Sequence, residues 1–441
     1  MLPQVIPEWA TIGPKGSDAY AELPEPAWRW LLNRVETDPQ LSKAFSAKLS
    51  HGQVALQIED RVGVIVAPDG TMVEVLPKLL RAGASPESAR RLVLRMLSVV
   101  EQLPVIETTE ASLGVVPRSL PEVLIRRFLL EVRALLHGGL RRTYEAVTEE
   151  SRVLRGRLLV SRHIRRVPSR RAEFDIEYEI FGFNRPENRL LRSAIGSVRT
   201  ATRDLVNHAL SSEFETLLAE IPESKDVYDD LRRWDNGRNL RSYARIKPWV
   251  RFILEKLCPA WGAGRHRGIS LLYPMEKLFE GFVAKRLVRQ LAIGVAIEAQ
   301  RPAGFLMMHD TMPVQRLMPD IVLVRNGMRK VVLDTKWKIG SAGAHTRPSE
   351  SDAYQMLGYG SCVFGNGGVV GLVYPTHTGF AFPEGPFVYG SGLQLWMLPF
   401  DLDSECLTFP RIPAFAELFM AVGTGDRGGI GSQSSSGYLG A

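Results

Sequence analysis

Between Met318 and Lys338 the chain reads MPDIVLVRNGMRKVVLDTKWK. Two aliphatic runs, Ile321–Val324 and Val331–Leu333, flank Asn326-Gly327, a dipeptide that favours a tight hairpin turn because both residues tolerate positive φ. The segment is therefore committed to two antiparallel neighbouring strands. The second run shows no polar alternation, which marks a strand covered on both faces. It nevertheless runs directly into Asp334 and Lys336, and charges rarely occupy a buried strand without a partner or a function. Residues two apart on a strand project to one face, so Asp334 and Lys336 point together. Asp320 opens the preceding strand.

Register decides whether Asp320 joins them. A strict two-residue loop pairs Arg325 with Met328 and sets Pro319 opposite Asp334, turning Asp320 away. A three- or five-residue loop, or a β-bulge, moves the pairing by one and brings Asp320 opposite Asp334. We expect such an odd loop or bulge. With it, two carboxylates and an ammonium converge. Hard divalent cations such as Mg2+ take carboxylate oxygens. A metal so held polarises a phosphodiester and lowers the pKa of a bound water. A lysine beside it orients or deprotonates that water and offsets transition-state charge. On its own an Asp-x-Lys triplet on a surface strand is most often merely solvated; Asp320 and the buried run raise it above that background.

The 441 residues suit two or three domains. A net charge of +7 and a pI near 9.3 favour anionic partners, nucleic acid before membrane surface. Cys258, Cys362 and Cys406 are scattered with no CxxC pair, which excludes a zinc ribbon or a four-cysteine iron–sulfur cluster built from this chain alone. There is no apolar run of signal-peptide or membrane-spanning length, so the expected location is the cytoplasm. No GxxxxGK[ST], GxSxG, HxxxH or HExxH occurs, so we expect no bound nucleotide, no serine hydrolase and no zinc protease.

The fold class read from these patterns is α+β or α/β and multidomain. Residues 1–150 form a β-rich domain with helices. VALQIED, VGVIVAP and MVEVLP suggest a small antiparallel sheet, with a hairpin at Asp69-Gly70. Residues 151–265 form a basic, mainly helical region. Its arginine run includes Arg155, Arg157, Arg162, Arg165 and Arg166, suited to a phosphate backbone or to a solvated face. Trp234, Tyr243 and Trp249 stand among further arginines, placed to stack on bases or to fill a core. Residues 266–422 form a mixed sheet flanked by helices, and 423–441 a disordered Gly/Ser-rich tail.

The ordered set Val62–Ile65, Glu74–Lys78, Gly139–Tyr144, Leu154–Leu158, Asn188–Leu191, Met275–Glu280, Met318–Val322, Leu333–Lys338, Ala353–Tyr359 and Leu372–Pro375 resembles the McrC family. McrC is the nuclease subunit of McrBC-type modified-cytosine restriction systems, in the PD-(D/E)xK superfamily. The resemblance spans about residues 60–376. It implies a restriction-endonuclease-like C-terminal domain with Asp320, Asp334 and Lys336 as the catalytic core and Mg2+, or Mn2+, as cofactor. It further implies that Glu280 adds a metal carboxylate, beside Asp320 and Asp334. Gln355 and Tyr359 match a QxxxY motif and share one helix face. The implied partners are double-stranded DNA, modified at cytosine, and a hexameric McrB-like AAA+ GTPase that docks to the N-terminal domain and is stimulated by it. Two other readings stay open: a non-catalytic activator of the motor, and a RecB-like DNA exonuclease.

Overall fold

The computed structural model describes the chain except residues 1–2, 51, 79–84, 105–118, 166–172, 236, 259–268, 311, 339–346 and 421–441. Two compact units emerge, Met1–Lys285 and Arg286–Ala441. The sequence expectation placed the last domain boundary at 266. The strand Ile269–Pro274 instead completes a sheet of the first unit, pairing antiparallel with Arg61–Val66. That sheet runs Gln4–Pro7, Met72–Leu76, Arg61–Val66, Ile269–Pro274. Gly63 makes the pairing feasible: it has φ +140°, and a Cβ there would lie 1.8 Å from the Leu271 carbonyl oxygen.

The Asp69-Gly70 hairpin is present, with Thr71 N donating to Asp69 Oδ1 at 2.8 Å. The strand Gln53–Ile58 departs from expectation. It pairs with Thr11–Pro14 and Phe45–Ser50 in a separate four-stranded sheet.

The middle region is not purely helical. Thr143–Ser151, Phe174–Gly182 and Arg157–Leu158 make a three-stranded sheet. Helices Pro186–Ala201, Leu205–Leu217 and Ile246–Phe252 follow. Trp234, Tyr243 and Trp249 are buried, so they belong to the core and are not a stacking surface. The Tyr243 hydroxyl donates to Asn188 Oδ1 at 2.7 Å and accepts from Arg141 N at 3.0 Å, tying together two of the segments that carry the family resemblance.

In the second unit a seven-stranded mixed sheet is ordered Val295–Ala299, Ile321–Arg325, Met328–Thr335, Val369–Pro375, Gln394–Asp401, Glu384–Val388, with Cys406–Leu407 added to the Gln394–Asp401 strand. The central strands are parallel, and the helix Glu350–Phe364 crosses between two of them. Val331, Val332 and Leu333 are fully buried, as their unbroken apolar run predicts. Met356 and Tyr359 press the crossover helix onto Val322, Val332, Val370 and Leu372. A separate hairpin, Gly304–His309 with Met312–Leu317, precedes the 321–325 strand. Among the described residues no helix is long and apolar enough to cross a membrane. The Gly/Ser-rich tail lies outside the described residues.

Candidate active site

The hairpin at Asn326-Gly327 keeps its two-residue loop, with Arg325 opposite Met328. The register then shifts: Val324 pairs with Arg329, whereas Leu323 pairs with Val331, leaving Lys330 as the extra residue of a bulge. Ile321 consequently lies opposite Leu333, and the next position outward sets Asp320 against Asp334. The expected one-residue shift of register is present, as a bulge.

Asp320 Oδ2 accepts from both Thr335 N at 2.8 Å and Thr335 Oγ1 at 2.7 Å. These bonds hold the carboxylate across the end of the neighbouring strand. Asp334 is only 2% exposed. Burial, reinforced by the charge of Asp320, pushes its carboxyl up to about 6 against the opposing pull of Lys336. Lys336 Nζ sits 2.7 Å from Asp334 Oδ2 and donates to Gln355 Oε1 at 2.8 Å. The Lys336–Asp334 approach is close but poorly aligned, and Asp334 Oδ2 is a buried acceptor without a well-directed hydrogen bond among the described residues. Burial works to lower the Lys336 pKa, but the charges of Asp334, Asp352 and Asp320 overcome it and hold it above the ordinary lysine value. Lys336 is thus an ammonium at neutral pH.

Gln355 and Tyr359 do share a face of the crossover helix. Gln355 Nε2 donates to Tyr359 Oη at 3.0 Å and reaches Asp334 Oδ1 at 3.4 Å. Tyr359 Oη donates to the Met318 carbonyl at 3.2 Å, so the motif clasps the segment that leads into Asp320. Burial, with the charges of Asp334 and Asp320, raises the Tyr359 pKa, keeping it a neutral donor.

Sequence reasoning missed Asp352. It is 4% exposed and lies at the start of the same helix. Its Oδ2 accepts from Lys338 Nζ at 2.5 Å and from Ser349 Oγ at 2.6 Å, and its Oδ1 lies 3.9 Å from Lys336 Nζ. The available signal was Ser349-x-x-Asp352, which reads as an ordinary helix cap. Lys338 lies with Lys336 just beyond the strand's end at Thr335, and its ammonium is drawn to Asp352 rather than Asp334.

Asp320, Asp334, Lys336, Gln355 and Tyr359 are therefore brought together. Glu280 belongs to the first unit, where it is buried on the Met275–Leu287 helix and paired with Lys277 at 2.7 Å. No group of three or more His, Cys, Asp and Glu arranged to hold a metal occurs among the described residues. In the arginine run Arg155, Arg157, Arg162 and Arg165 are exposed, and Arg166 lies outside the described residues. Arg155 pairs with Glu149 at 2.9 Å and stacks 3.7 Å over the Tyr178 ring; Arg157 lies 3.9 Å from Glu177. The run contains no acid, but the adjoining strands supply them.

A mixed sheet with a bulged hairpin that brings two acids and a lysine together defines an α/β domain with a candidate acid–lysine site, and comparison with known proteins places the chain more closely. Residues 56–375 match the family described as McrBC 5-methylcytosine restriction system component, and the chain belongs to that family. No curated protein matches. Among solved structures, the chain resembles one from the refined half-complex of the tetradecameric assembly of Thermococcus gammatolerans McrB AAA+ hexamers with bound McrC. That likeness has a TM-score of 0.67 at 18% identity, covering 94% of this chain and 98% of that one. A chain of the Thermococcus gammatolerans McrBC complex, from a cryo-EM structure, aligns with a TM-score of 0.49 at 20% identity, covering 65% of this chain and 88% of that one.

Proposed function

We propose that this chain is the McrC-like endonuclease subunit of a GTP-dependent modified-DNA restriction complex. It hydrolyses DNA phosphodiester bonds with Mg2+ at a PD-(D/E)xK-type site. The observation that carries the reading is the convergence of Asp320, Asp334 and Lys336, brought about by the bulge at Lys330.

The residues present fit a divalent cation. Asp334 has a buried oxygen without a well-directed donor and a carboxyl group pushed upward by burial and then by the neighbouring Asp320. A hard cation relieves both conditions. Mg2+ commonly takes only one or two carboxylates, filling its other positions with water and substrate phosphate; the pair Asp320 and Asp334 meets that demand without Glu280. When bound, the ion supplies Lewis-acid activation of the phosphate and a more acidic water. Thr335 orients the Asp320 carboxylate, and Gln355 together with Asp334 fixes the Lys336 ammonium. Held beside Asp334 and Gln355, Lys336 is placed to orient the phosphate and water and to offset developing negative charge.

The similarity to an assembly of McrB hexamers with bound McrC supports docking to a McrB-like AAA+ GTPase. The sequence contains no GxxxxGK[ST], so GTP hydrolysis falls to that partner. The family description points to DNA modified at cytosine as the substrate.

The test is cleavage of 5-methylcytosine-containing DNA by the chain reconstituted with its neighbouring AAA+ GTPase, Mg2+ and GTP. Asp334→Ala and Lys336→Ala should abolish cutting while leaving GTPase stimulation intact. Cutting that survives both changes places the site elsewhere. If the wild type stimulates GTP hydrolysis but never cuts, the chain is a non-catalytic activator.

A further inference from the structure

We infer that Asp352 is a positioning residue for the hydrolytic site, holding Lys338 aside and keeping the Lys336 ammonium between Asp334 and Gln355. The inference rests on the nuclease reading above.

Just past the 328–335 strand, Lys336 and Lys338 bring two ammonium groups, each needing an acceptor, to one place. A buried carboxylate stands between these demands. Asp352 Oδ2 binds Lys338 Nζ at 2.5 Å, while Oδ1 faces Lys336 Nζ at 3.9 Å. Lys336 is thereby flanked by Asp334 at 2.7 Å, Gln355 at 2.8 Å and Asp352. Asp352 and Gln355 are three apart on one helix, so a single turn presents both partners to the lysine. Tyr374 closes the arrangement from the next strand, its hydroxyl donating to Asp352 Oδ2 at 3.4 Å.

A helix cap alone does not account for this geometry. The capping relation needs only Ser349, whose Oγ accepts from Asp352 N at 3.3 Å, and an exposed acid in the first turn serves it equally well. Asp352 is instead turned inward, against two lysines and a buried tyrosine hydroxyl. Removing its charge leaves Lys338 without its carboxylate and Lys336 with one fewer neighbouring negative charge. Groups that orient a reacting side chain from behind change turnover more than substrate affinity, with losses of about 10- to 100-fold.

The test uses the full chain with its GTPase partner and compares Asp352→Asn, Asp352→Glu and Ser349→Ala. Asp352→Asn should lower the turnover of DNA cleavage about ten-fold or more with KM for DNA unchanged, and Asp352→Glu should restore part of it. Ser349→Ala removes the cap and one hydrogen bond to the Asp352 carboxylate but leaves its charge beside the lysines, so it should lower turnover clearly less than Asp352→Asn does. Equal losses in Asp352→Asn and Ser349→Ala would make Asp352 a cap and overturn the inference. A second readout needs no cleavage: reaction of the metal-free chain with an amine-selective acylating reagent, mapped by mass spectrometry. Asp352→Asn should accelerate modification of Lys338 and Lys336 several-fold relative to other lysines. Unchanged rates at both positions would overturn the inference even if the nuclease reading stands. A wild type that does not cut, with both lysines still released in Asp352→Asn, would count against the nuclease reading and leave the positioning intact.

Discussion

Lys336 and Gln355 are joined by a 2.8 Å hydrogen bond that links the end of a buried strand to the face of the crossover helix. The same glutamine donates to Tyr359 and reaches Asp334, so one side chain touches three members of the candidate site. Gln355→Ala should therefore lower DNA cleavage by about 10- to 100-fold while the folded state is retained. Steady-state cleavage assays beside a thermal melt separate the two effects.

Thr335 gives Asp320 its orientation through a backbone and a hydroxyl donor. Thr335→Val keeps the shape and the backbone bond but removes the hydroxyl. We expect the Mg2+ concentration for half-maximal cleavage to rise about ten-fold, with activity recovered at saturating metal. A metal titration of the cleavage rate checks this, and loss that metal does not recover would point to a different role for Thr335.

Asp334 carries a cost in the metal-free protein. Its folded pKa, about 6, lies above the value in an unfolded chain, about 3.9. The folded state therefore binds the proton more tightly, and stability falls as pH rises from about 4 through 6. Above that window the penalty is complete, on the order of 1–3 kcal/mol. Asp334→Asn should melt at a higher temperature than the wild type at pH 7.5 without metal, and the difference should vanish near pH 4. Thermal melts across that pH range test the sign.

Much of the second unit was legible because its signals are local. Asn326-Gly327 announced the hairpin, and the unbroken Val331–Leu333 run announced a buried strand. The need to oppose Asp320 and Asp334 required a bulge, which lies at Lys330. What escaped notice depended on distant partners. Ile269–Pro274 pairs with a strand some two hundred residues earlier, and nothing in its own pattern says so. The 143–151 strand is largely exposed and lacks the apolar alternation that marks a strand, whereas its partner 174–182 does alternate apolar and acidic residues from Phe174 to Ile180, a signal that was there to read. Asp352 was hidden by doing two things at once, because a residue that reads as a cap gives no sign that its carboxylate turns inward.

The first unit offers a test of its own. The Tyr243 hydroxyl bridges Asn188 and the Arg141 amide inside the core. Tyr243→Phe leaves both partners without that hydroxyl, which should cost about 1–3 kcal/mol in unfolding free energy. Chemical denaturation measures it, and a change below a few tenths of a kcal/mol would show that other groups take over the bonds.

The central claim is that Asp320 and Asp334 share a divalent ion, and anomalous diffraction from crystals of the full chain soaked in Mn2+ tests it most directly. The account predicts one strong peak with an oxygen of each carboxylate at about 2.1 Å, lost in Asp334→Ala crystals. A peak that persists in Asp334→Ala, or wild-type crystals with Mn2+ bound only away from these two side chains, would contradict it.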